Sequence, residues 1–187
     1  MALSEAVMHW NPLEGEQVHL GELVVAIGVF DGIHIGHRAL FAMARQHARE
    51  LGVPLVAVSF DRDPDEIFRV DDACFGKLLS NEQRLQMIAV QTDAGVLSLP
   101  AAPNVFSIEA MSFLDYLNCV LTPRAFFVGS DFRFGAKARG SVADIEKWAT
   151  SHGCTCIPCE LIEERGLPIT ATRIRGLLMQ GEVAEAR

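Results

Sequence analysis

The sequence lacks several features that would place it at once in a large class of proteins. No apolar run among its 187 residues reaches the roughly 18 residues that mark a membrane-spanning helix. Its start, MALSEAVMHW, has no basic region of the kind that opens a secretory signal peptide. We therefore expect a cytoplasmic protein with no membrane partner.

Basic charge is also scarce. Lys and Arg total 16 against 24 Asp and Glu, which gives a formal net charge of -8 at pH 7. Duplex nucleic acid is bound through a basic face, so we expect no nucleic-acid partner. Two short segments, SDFRFGAKARG (130–140) and TRIRG (172–176), are nevertheless basic enough to hold phosphate locally.

The cysteines do not indicate a disulfide framework, because there are 5 of them, an odd number. Three lie close together in SHGCTCIPC, at Cys154, Cys156 and Cys159, beside His152. This crowded arrangement lacks the paired Cys-x-x-Cys spacing of most zinc sites. We favour a strand of reduced, half-buried cysteines, and a metal site is the alternative.

Apolar segments are abundant and fall into an alternating order of strands and helices. The predicted strands are ELVVAIGVF, VPLVAVSF, AGVLSLP, RAFFVGS and CTCIPCELI; the predicted helices between and after them are HRALFAMARQHAREL, SNEQRLQMIAVQ, SIEAMSFLDYLNCVL, SVADIEKWATSHG and ATRIRGLLMQ. Such alternation predicts an α/β fold with a Rossmann-like, doubly wound parallel sheet. We expect one domain over residues 1–187, with its core at about 23–181.

Local signals set the ends of several helices. The first helix carries an apolar stripe that ends at Leu51, followed by Gly52 as a helix terminator. Ser80 and Gln83 form a capping box, and Gly181 is the expected C-cap of the last helix. The segment 61–79 is too irregular and too long for a simple connector, so we expect it to be functional or mobile.

The densest motif is GVFDGIHIGH, residues 28–37, between the first strand and the first helix. Its glycines, Gly28, Gly32 and Gly36, permit close backbone approach and positive φ angles. Ligands of open α/β sheets bind at the carboxyl ends of strands, and a helix N-terminus attracts anions. His34 and His37 can donate hydrogen bonds to phosphoryl oxygens, more strongly if protonated. The motif therefore predicts a phosphate site, although mere capping of the helix by the histidines is the alternative.

Two common nucleotide motifs are absent. Neither G-x-x-x-x-G-K-[ST] nor G-x-G-x-x-G occurs in the sequence. The chain is therefore not expected to be a P-loop NTPase or an ordinary dinucleotide-binding dehydrogenase.

HIGH, residues 34–37, resembles the H-x-G-H motif of the nucleotidyltransferase superfamily. More specifically, GVFDGIHIGH, VGSDFRFGAKARG and ITATRIRGLLMQGEVAEA follow the order seen in FMN adenylyltransferases. These form the N-terminal module of bacterial bifunctional riboflavin kinase/FAD synthetases. The resemblance spans roughly Leu23 to the C-terminus and implies a fold of the nucleotidyltransferase type. The sequence ends near where the kinase module would follow, so we expect no riboflavin kinase domain within it. Either a separate kinase supplies FMN, or the sequence is part of a longer protein.

The resemblance implies transfer of AMP from ATP to FMN, which yields FAD and pyrophosphate, with Mg²⁺ on the substrate phosphates. It implies catalytic roles for His34, His37 and Arg175. The implied ATP-binding residues are Gly28, Val29, Phe30, Asp31, His34, Gly36, His37, Gly129, Asp131, Thr172 and Arg175. The implied FMN-binding residues are Phe60, Arg62, Asp63, Asp131, Phe132 and Arg133. Arg133, Lys137 and Arg139 could face phosphate or remain solvated loop cations.

The sequence departs from the family pattern at three positions. Val29 stands where the family has Asn, Ala171 replaces a serine hydroxyl in S-S-T-x-I-R, and Asp63 replaces the histidine of F-x-P-H-P. Two alternatives to FMN adenylyltransfer therefore stay open. One is a related nucleotidyltransferase whose acceptor is another phosphorylated molecule, such as phosphopantetheine or a phosphorylated polyol. The other is a degenerate domain that binds nucleotide or flavin without turnover.

Overall fold

The computed structural model describes residues 6–14, 19–68 and 76–187. Its main sheet has six strands, all parallel, in the order β1-β4-β3-β2-β5-β8. These strands are β1 (Val7–His9), β2 (Glu22–Ile27), β3 (Leu55–Phe60), β4 (Val96–Leu99), β5 (Thr122–Gly129) and β8 (Thr155–Cys159). The doubly wound parallel sheet that the alternation predicts is therefore confirmed.

The strands are joined mainly through helices, and two small antiparallel ribbons lie outside the sheet. The helices are α1 (Ile35–Leu51), α2 (Asp65–Phe68), α3 (Asn81–Ala89), α4 (Pro103–Phe106), α5 (Ala110–Val120), α6 (Val142–Ser151), α7 (Ala171–Met179) and α8 (Val183–Ala186). The ribbons are β6 (Arg133–Phe134) with β7 (Gly140–Ser141), and β9 (Glu163–Glu164) with β10 (Leu167–Pro168). Across the described ranges, no helix combines the length and apolar character needed to cross a bilayer.

Helices cover both faces of the sheet, and each face has its own apolar core. Alternate residues of β2 point to opposite faces: Val25 joins one core and Val24 the other. Phe126 of β5 packs in the first core with side chains of α5 and α6, whereas Phe127 packs in the second with α1 and α3. This division explains why the strands are continuous apolar runs, since both faces of the sheet are buried.

Most local expectations are met, and some ends differ. Ser80 and Gln83 form the reciprocal capping box, and Gly52 follows α1 with a φ of 69°. Leu51, predicted as the end of the apolar stripe, lies in the last turn of α1 and is 36% exposed, so the buried part of the stripe ends at Ala48. The C-cap of α7 is Gln180, with Gly181 one position later at a φ of 80°.

Two regions differ from the sequence-based expectation. Strand β1 precedes the expected core segment and pairs with β4, where Trp10 is buried against the first core. The irregular stretch 61–79 contains the short helix α2, and residues 69–75 within it lie outside the described residues.

Candidate active site

The motif at residues 28–37 lies at the point where the strand order reverses. Strand β2 is followed in the chain by β3 on one side, whereas its other neighbour, β5, is followed in the sheet by β8 on the opposite side. The loops that follow β2 and β5 therefore flank a crevice at the carboxyl ends of the strands, which is the usual binding position in such sheets. The first loop contains a short 3-10 turn, Asp31–Ile33, and leads directly into α1.

The three glycines of this loop make room for neighbouring side chains. A Cβ on Gly28 would lie 2.9 Å from the ring of Phe30, and one on Gly36 would lie 3.2 Å from the ring of His34. Gly32 has a φ of 72°, and its Cβ would lie 2.6 Å from Leu78. Phe30 itself adopts the left-handed conformation, with a φ of 58°. The loop is thus held in a strained shape of the kind often found at functional sites.

His34 and His37 form a stacked pair at the start of α1. Their ring centroids are 3.6 Å apart with an interplanar angle of 23°, and Phe30 contacts the His37 ring edge-on at 5.3 Å. His34 is the N-cap of α1 but makes no capping hydrogen bond through its side chain. The Nδ1 atoms of both rings are buried without a hydrogen-bond partner. Capping of the helix therefore does not account for the two histidines.

Both imidazoles are neutral at pH 7. Desolvation by burial, with a smaller contribution from the neighbouring His34, lowers the pKa of His37 from 6.5 to about 3. Desolvation also lowers the pKa of His34, although the carboxylate of Asp31 opposes this shift. Each ring can donate one hydrogen bond from its neutral form, so the site offers directed donors and not two fixed positive charges.

Positive charge reaches the site from Arg175 on α7. Its Nη1 atom donates to Oδ2 of Asp31 at 2.7 Å, and the two side chains are only 13% and 7% exposed. Its Nη2 atom donates to the hydroxyl of Thr172 at 3.2 Å. Asp31 therefore contributes to the site by orienting a guanidinium. The hydrogen bond connects the 28–37 motif to α7, although the two residues are 144 positions apart in the sequence.

The N-terminus of α7 faces the same cavity. The hydroxyl of Thr170 accepts a hydrogen bond from the amide of Arg173 at 3.1 Å, as an N-cap does. Ala171 lies at the first helical position and lines the cavity. The guanidinium of Arg173 donates through Nη1 to the carbonyl of Leu167 at 3.1 Å, in the hairpin β9–β10.

These groups surround a cavity of about 380 Å³, which we call the polar cavity. Nearly all residues implied for ATP binding line it; Thr172 does not, and touches Arg175 instead. The predicted residues that line it are Gly28, Val29, Phe30, Asp31, His34, Gly36, His37, Gly129, Asp131 and Arg175. Among the described residues, no group of 3 or more His, Cys, Asp or Glu side chains is arranged to hold a metal ion.

A larger cavity of about 880 Å³, the aromatic cavity, adjoins the polar one. Gly28, Val29 and Phe132 line both, so the two cavities share a wall. Phe132 and Phe134 lie nearly parallel on one side, at 8° with centroids 5.7 Å apart, and Phe106 packs against two further rings on another. The phenylalanines lining this cavity are Phe60, Phe68, Phe106, Phe113, Phe132 and Phe134.

The residues implied for FMN binding divide between the two cavities. Phe60, Phe132 and Arg133 line the aromatic cavity, whereas Asp63 and Asp131 line the polar one. Arg62 lines neither and is exposed. Of the two remaining loop cations, Lys137 lines the aromatic cavity and Arg139 lines neither.

Asp63 is held firmly in place although it is acidic. It is 7% exposed, and its Oδ1 atom accepts from the amide of Asp65 at 3.0 Å. Desolvation is the main cause that raises its pKa, while the hydrogen bond from Asp65 and the charge of Arg84 act in the opposite direction. The amide of Asp63 in turn donates to Glu66 and Asn81. A carboxyl therefore lies at the polar cavity where the family pattern has histidine.

Arg84 is a further residue near the site that the sequence did not indicate. It lies on α3 and is 1% exposed, and it donates to groups at the ends of β2 and β3. An arginine on a helix with exposed Glu82 and Gln83 beside it gives no local sign of burial. Only the tertiary contacts identify it.

The cysteines of β8 are free thiols. Burial raises the pKa of Cys156 to about 12 and that of Cys159 to about 11, so both are protonated at pH 7. The ring of His152 stacks on Trp148 at 3.8 Å, and its Nδ1 atom lies 2.8 Å from the Trp148 carbonyl. These contacts favour the expectation of reduced cysteines in a strand over a metal site.

The fold is shared with solved structures. A structure titled as a macrolide-efflux protein from Streptococcus pneumoniae superposes with a TM-score of 0.75, at 23% sequence identity, over 97% of this chain and 58% of that one. At this level of identity the likeness concerns the fold alone.

Sequence relatives carry a more specific name. A bifunctional riboflavin kinase/FMN adenylyltransferase from Pseudomonas fluorescens is 32% identical over 162 residues, and one from Escherichia coli (strain K12) is 30% identical over 164 residues. The alignments cover 83% and 87% of this chain but only 50% and 52% of those proteins. The chain thus spans about half the length of these curated relatives.

Two further matches cover most of this chain. A protein from Geobacillus thermodenitrificans is 32% identical over 159 residues, which cover 85% of this chain and 84% of that protein. The sequence model of the FAD synthetase family matches residues 16–173, a span from β2 to the start of α7 that includes the residues lining both cavities except Arg175. By this match over most of its length, the chain belongs to the FAD synthetase family.

Proposed function

We propose that this chain transfers the adenylyl group of ATP to the phosphate of FMN and releases pyrophosphate. The observation that carries the proposal is the shared wall between the polar cavity and the aromatic cavity. One cavity presents donors suited to phosphate, and the other presents flat aromatic walls. Membership of the FAD synthetase family and the names of the bifunctional relatives support the same reaction.

The triphosphate of ATP fits the polar cavity. His34 and His37 supply neutral donors at the N-terminus of α1, whose amides carry partial positive charge. Arg175 supplies the cation, and the N-terminus of α7, on which it lies, lines the same cavity. Asp31 repels phosphate by its own charge, so its contribution is to hold Arg175.

The isoalloxazine ring of FMN fits the aromatic cavity. A flat, largely apolar ring system gains from stacking between aromatic side chains, and the volume of about 880 Å³ is ample for it. The FMN phosphate would then extend past Val29 and Phe132 into the polar cavity. Asp63 and Asp65, which line that cavity near Pro64, would face this phosphate.

The chemistry is an in-line displacement at the α-phosphorus of ATP. A phosphate oxygen of FMN forms the new P–O bond, and the bond from the α-phosphorus to the bridging oxygen of pyrophosphate breaks. No covalent enzyme intermediate is required. The protein contributes position and stabilisation of the charge that develops on the phosphates. A divalent metal accompanies ATP as part of the substrate, and we propose Mg²⁺, which retains waters and needs few protein ligands.

The direct test is product analysis with ATP, Mg²⁺ and a panel of acceptors. We expect FAD and pyrophosphate in equal amounts from FMN, and no adenylylated product from riboflavin, which lacks the attacking phosphate. Efficient use of phosphopantetheine or a phosphorylated polyol in place of FMN would show a related nucleotidyltransferase. Binding of ATP and FMN without pyrophosphate from any acceptor would show a domain without turnover.

A further inference from the structure

Arg84 is among the largest fully buried side chains of the described residues, with an exposure of 1%. Burial of a guanidinium is costly unless its donors are satisfied. Desolvation accordingly lowers its pKa, and the nearby carboxylates of Asp63, Asp31 and Glu66 oppose that shift. Contacts of its two Nη atoms offset part of this cost, whereas its Nε atom is buried without a hydrogen-bond partner.

Those contacts all lie at the ends of the two strands beside the cavities. The Nη1 atom donates to the carbonyl of Val29 at 2.8 Å and to the hydroxyl of Ser59 at 2.9 Å. The Nη2 atom donates to the carbonyl of Phe60 at 2.7 Å. The Ser59 hydroxyl in turn donates to the Val29 carbonyl at 3.3 Å. One guanidinium thus fixes the loop after β2 relative to the end of β3.

Of the residues fixed in this way, one belongs to the wall between the cavities and two belong to the aromatic cavity beside it. Val29 lines both the polar and the aromatic cavity, and Phe60 and Ser59 line the aromatic one. Arg84 itself lines neither. Any effect it has on substrates must therefore pass through the backbone that it holds.

We propose that Arg84 is a positioning residue that sets the wall between the nucleotide and flavin cavities, so that the FMN phosphate meets the α-phosphorus of ATP in line. This inference rests on the proposed function. The planar guanidinium donates to its acceptors from two nitrogens at once. A lysine ammonium has only one nitrogen and cannot reproduce this arrangement. Displacement of a reacting group by about 1 Å can reduce turnover by roughly a hundredfold.

The test compares Arg84→Lys with Arg45→Lys in the full chain. Arg45 is the matched control: its Nη2 atom donates to the carbonyl of Gln91 at 2.7 Å, and it lines neither cavity. For each protein we would measure the melting temperature, the Kd for ATP by calorimetry, the Kd for FMN by its fluorescence, and kcat for FAD formation. Active molecules are counted by the stoichiometry of ATP binding.

Arg84→Lys should lower kcat per active molecule by about tenfold or more and weaken FMN binding by roughly threefold or more. Its Kd for ATP should change by less than about threefold, because His34, His37 and Arg175 do not depend on Arg84 for their contacts. Arg45→Lys should leave kcat and both Kd values unchanged. A purely structural role would instead reduce the active fraction while the remaining molecules kept the wild-type kcat.

Wild-type kcat and FMN affinity in Arg84→Lys would overturn the inference, as would a loss confined to the active fraction. If the wild type binds FMN but forms no FAD, the proposed function fails, and the FMN Kd of Arg84→Lys still decides the role of Arg84. A wild type that does not bind FMN contradicts both, since Arg84 would then have no flavin wall to position.

Discussion

Replacement of Arg175 by lysine is the sharpest perturbation of the polar cavity, because it keeps the charge and removes the planar fork. Arg175 donates through Nη1 to Asp31 and through Nη2 to Thr172. A guanidinium has more N–H donors than an ammonium and holds them in one plane. We therefore expect Arg175→Lys to keep the ion pair with Asp31 and to lose the simultaneous contact with phosphate.

The size of the effect follows from the bond that is lost. A hydrogen bond to a charged group contributes about 1.5–3 kcal/mol, which corresponds to roughly a ten- to hundredfold reduction in kcat/KM for ATP. Because Arg175 is only 13% exposed, salt should not remove the difference.

Arg173→Lys is the matched control on the same helix. The Arg173 guanidinium lies 3.9 Å from the carboxylate of Glu164, which is 56% exposed. Exposed ion pairs contribute about 0–1 kcal/mol, so the variant should lose less than about fivefold in kcat/KM. The assay is the initial rate of FAD formation at varied ATP and saturating FMN. Equal losses in the two variants would refute the assignment of Arg175 to the phosphates.

Three further substitutions test the histidine and the two departures from the family pattern. The folded-state pKa of His37 is about 3 against an ordinary 6.5, so the unfolded chain binds the proton first and stability is lost as pH falls from 6.5 toward 3. His37→Gln should therefore reduce the fall in melting temperature over this pH range. An unchanged dependence of melting temperature on pH would contradict the burial argument. Ala171→Ser should raise kcat/KM for ATP by up to roughly tenfold, because the Thr170 hydroxyl is already engaged as the helix cap; no gain would mean that the added hydroxyl does not reach the phosphates. Asp63→Asn should lower the KM for FMN by removing a nearly buried charge, and this effect should persist in salt; an unaltered KM would place the FMN phosphate elsewhere.

The parallel sheet and its helices could be predicted because their signals are local. Continuous apolar runs mark strands buried on both faces, and Ser80 with Gln83 marks the start of α3 by a reciprocal cap. Strand β1 has no such signal. It spans Val7–His9 at the edge of the sheet, its residues are half-buried or exposed, and only its pairing with β4 defines it.

The site was predictable in composition but not in arrangement. The histidine motif located one wall of the polar cavity, yet Gly28 and Gly36 leave space for the rings of Phe30 and His34, which only the packing reveals. The link between Asp31 and Arg175 joins opposite ends of the chain. No periodicity or local cap encodes such a contact, because it arises only when the fold brings α7 against the loop that follows β2.

Adenylyl transfer to FMN is tested most sharply by following the α- and γ-phosphates of ATP into the products. The wild-type chain is incubated with FMN and Mg²⁺ and with ATP labelled either at the α-phosphorus or at the γ-phosphorus, and the flavin product and pyrophosphate are separated. If the chain transfers the adenylyl group to FMN, the α label enters the flavin product, which is FAD, and the γ label appears only in pyrophosphate. Adenylyl transfer to FMN would be contradicted if the α label never entered a flavin, or if the γ label did.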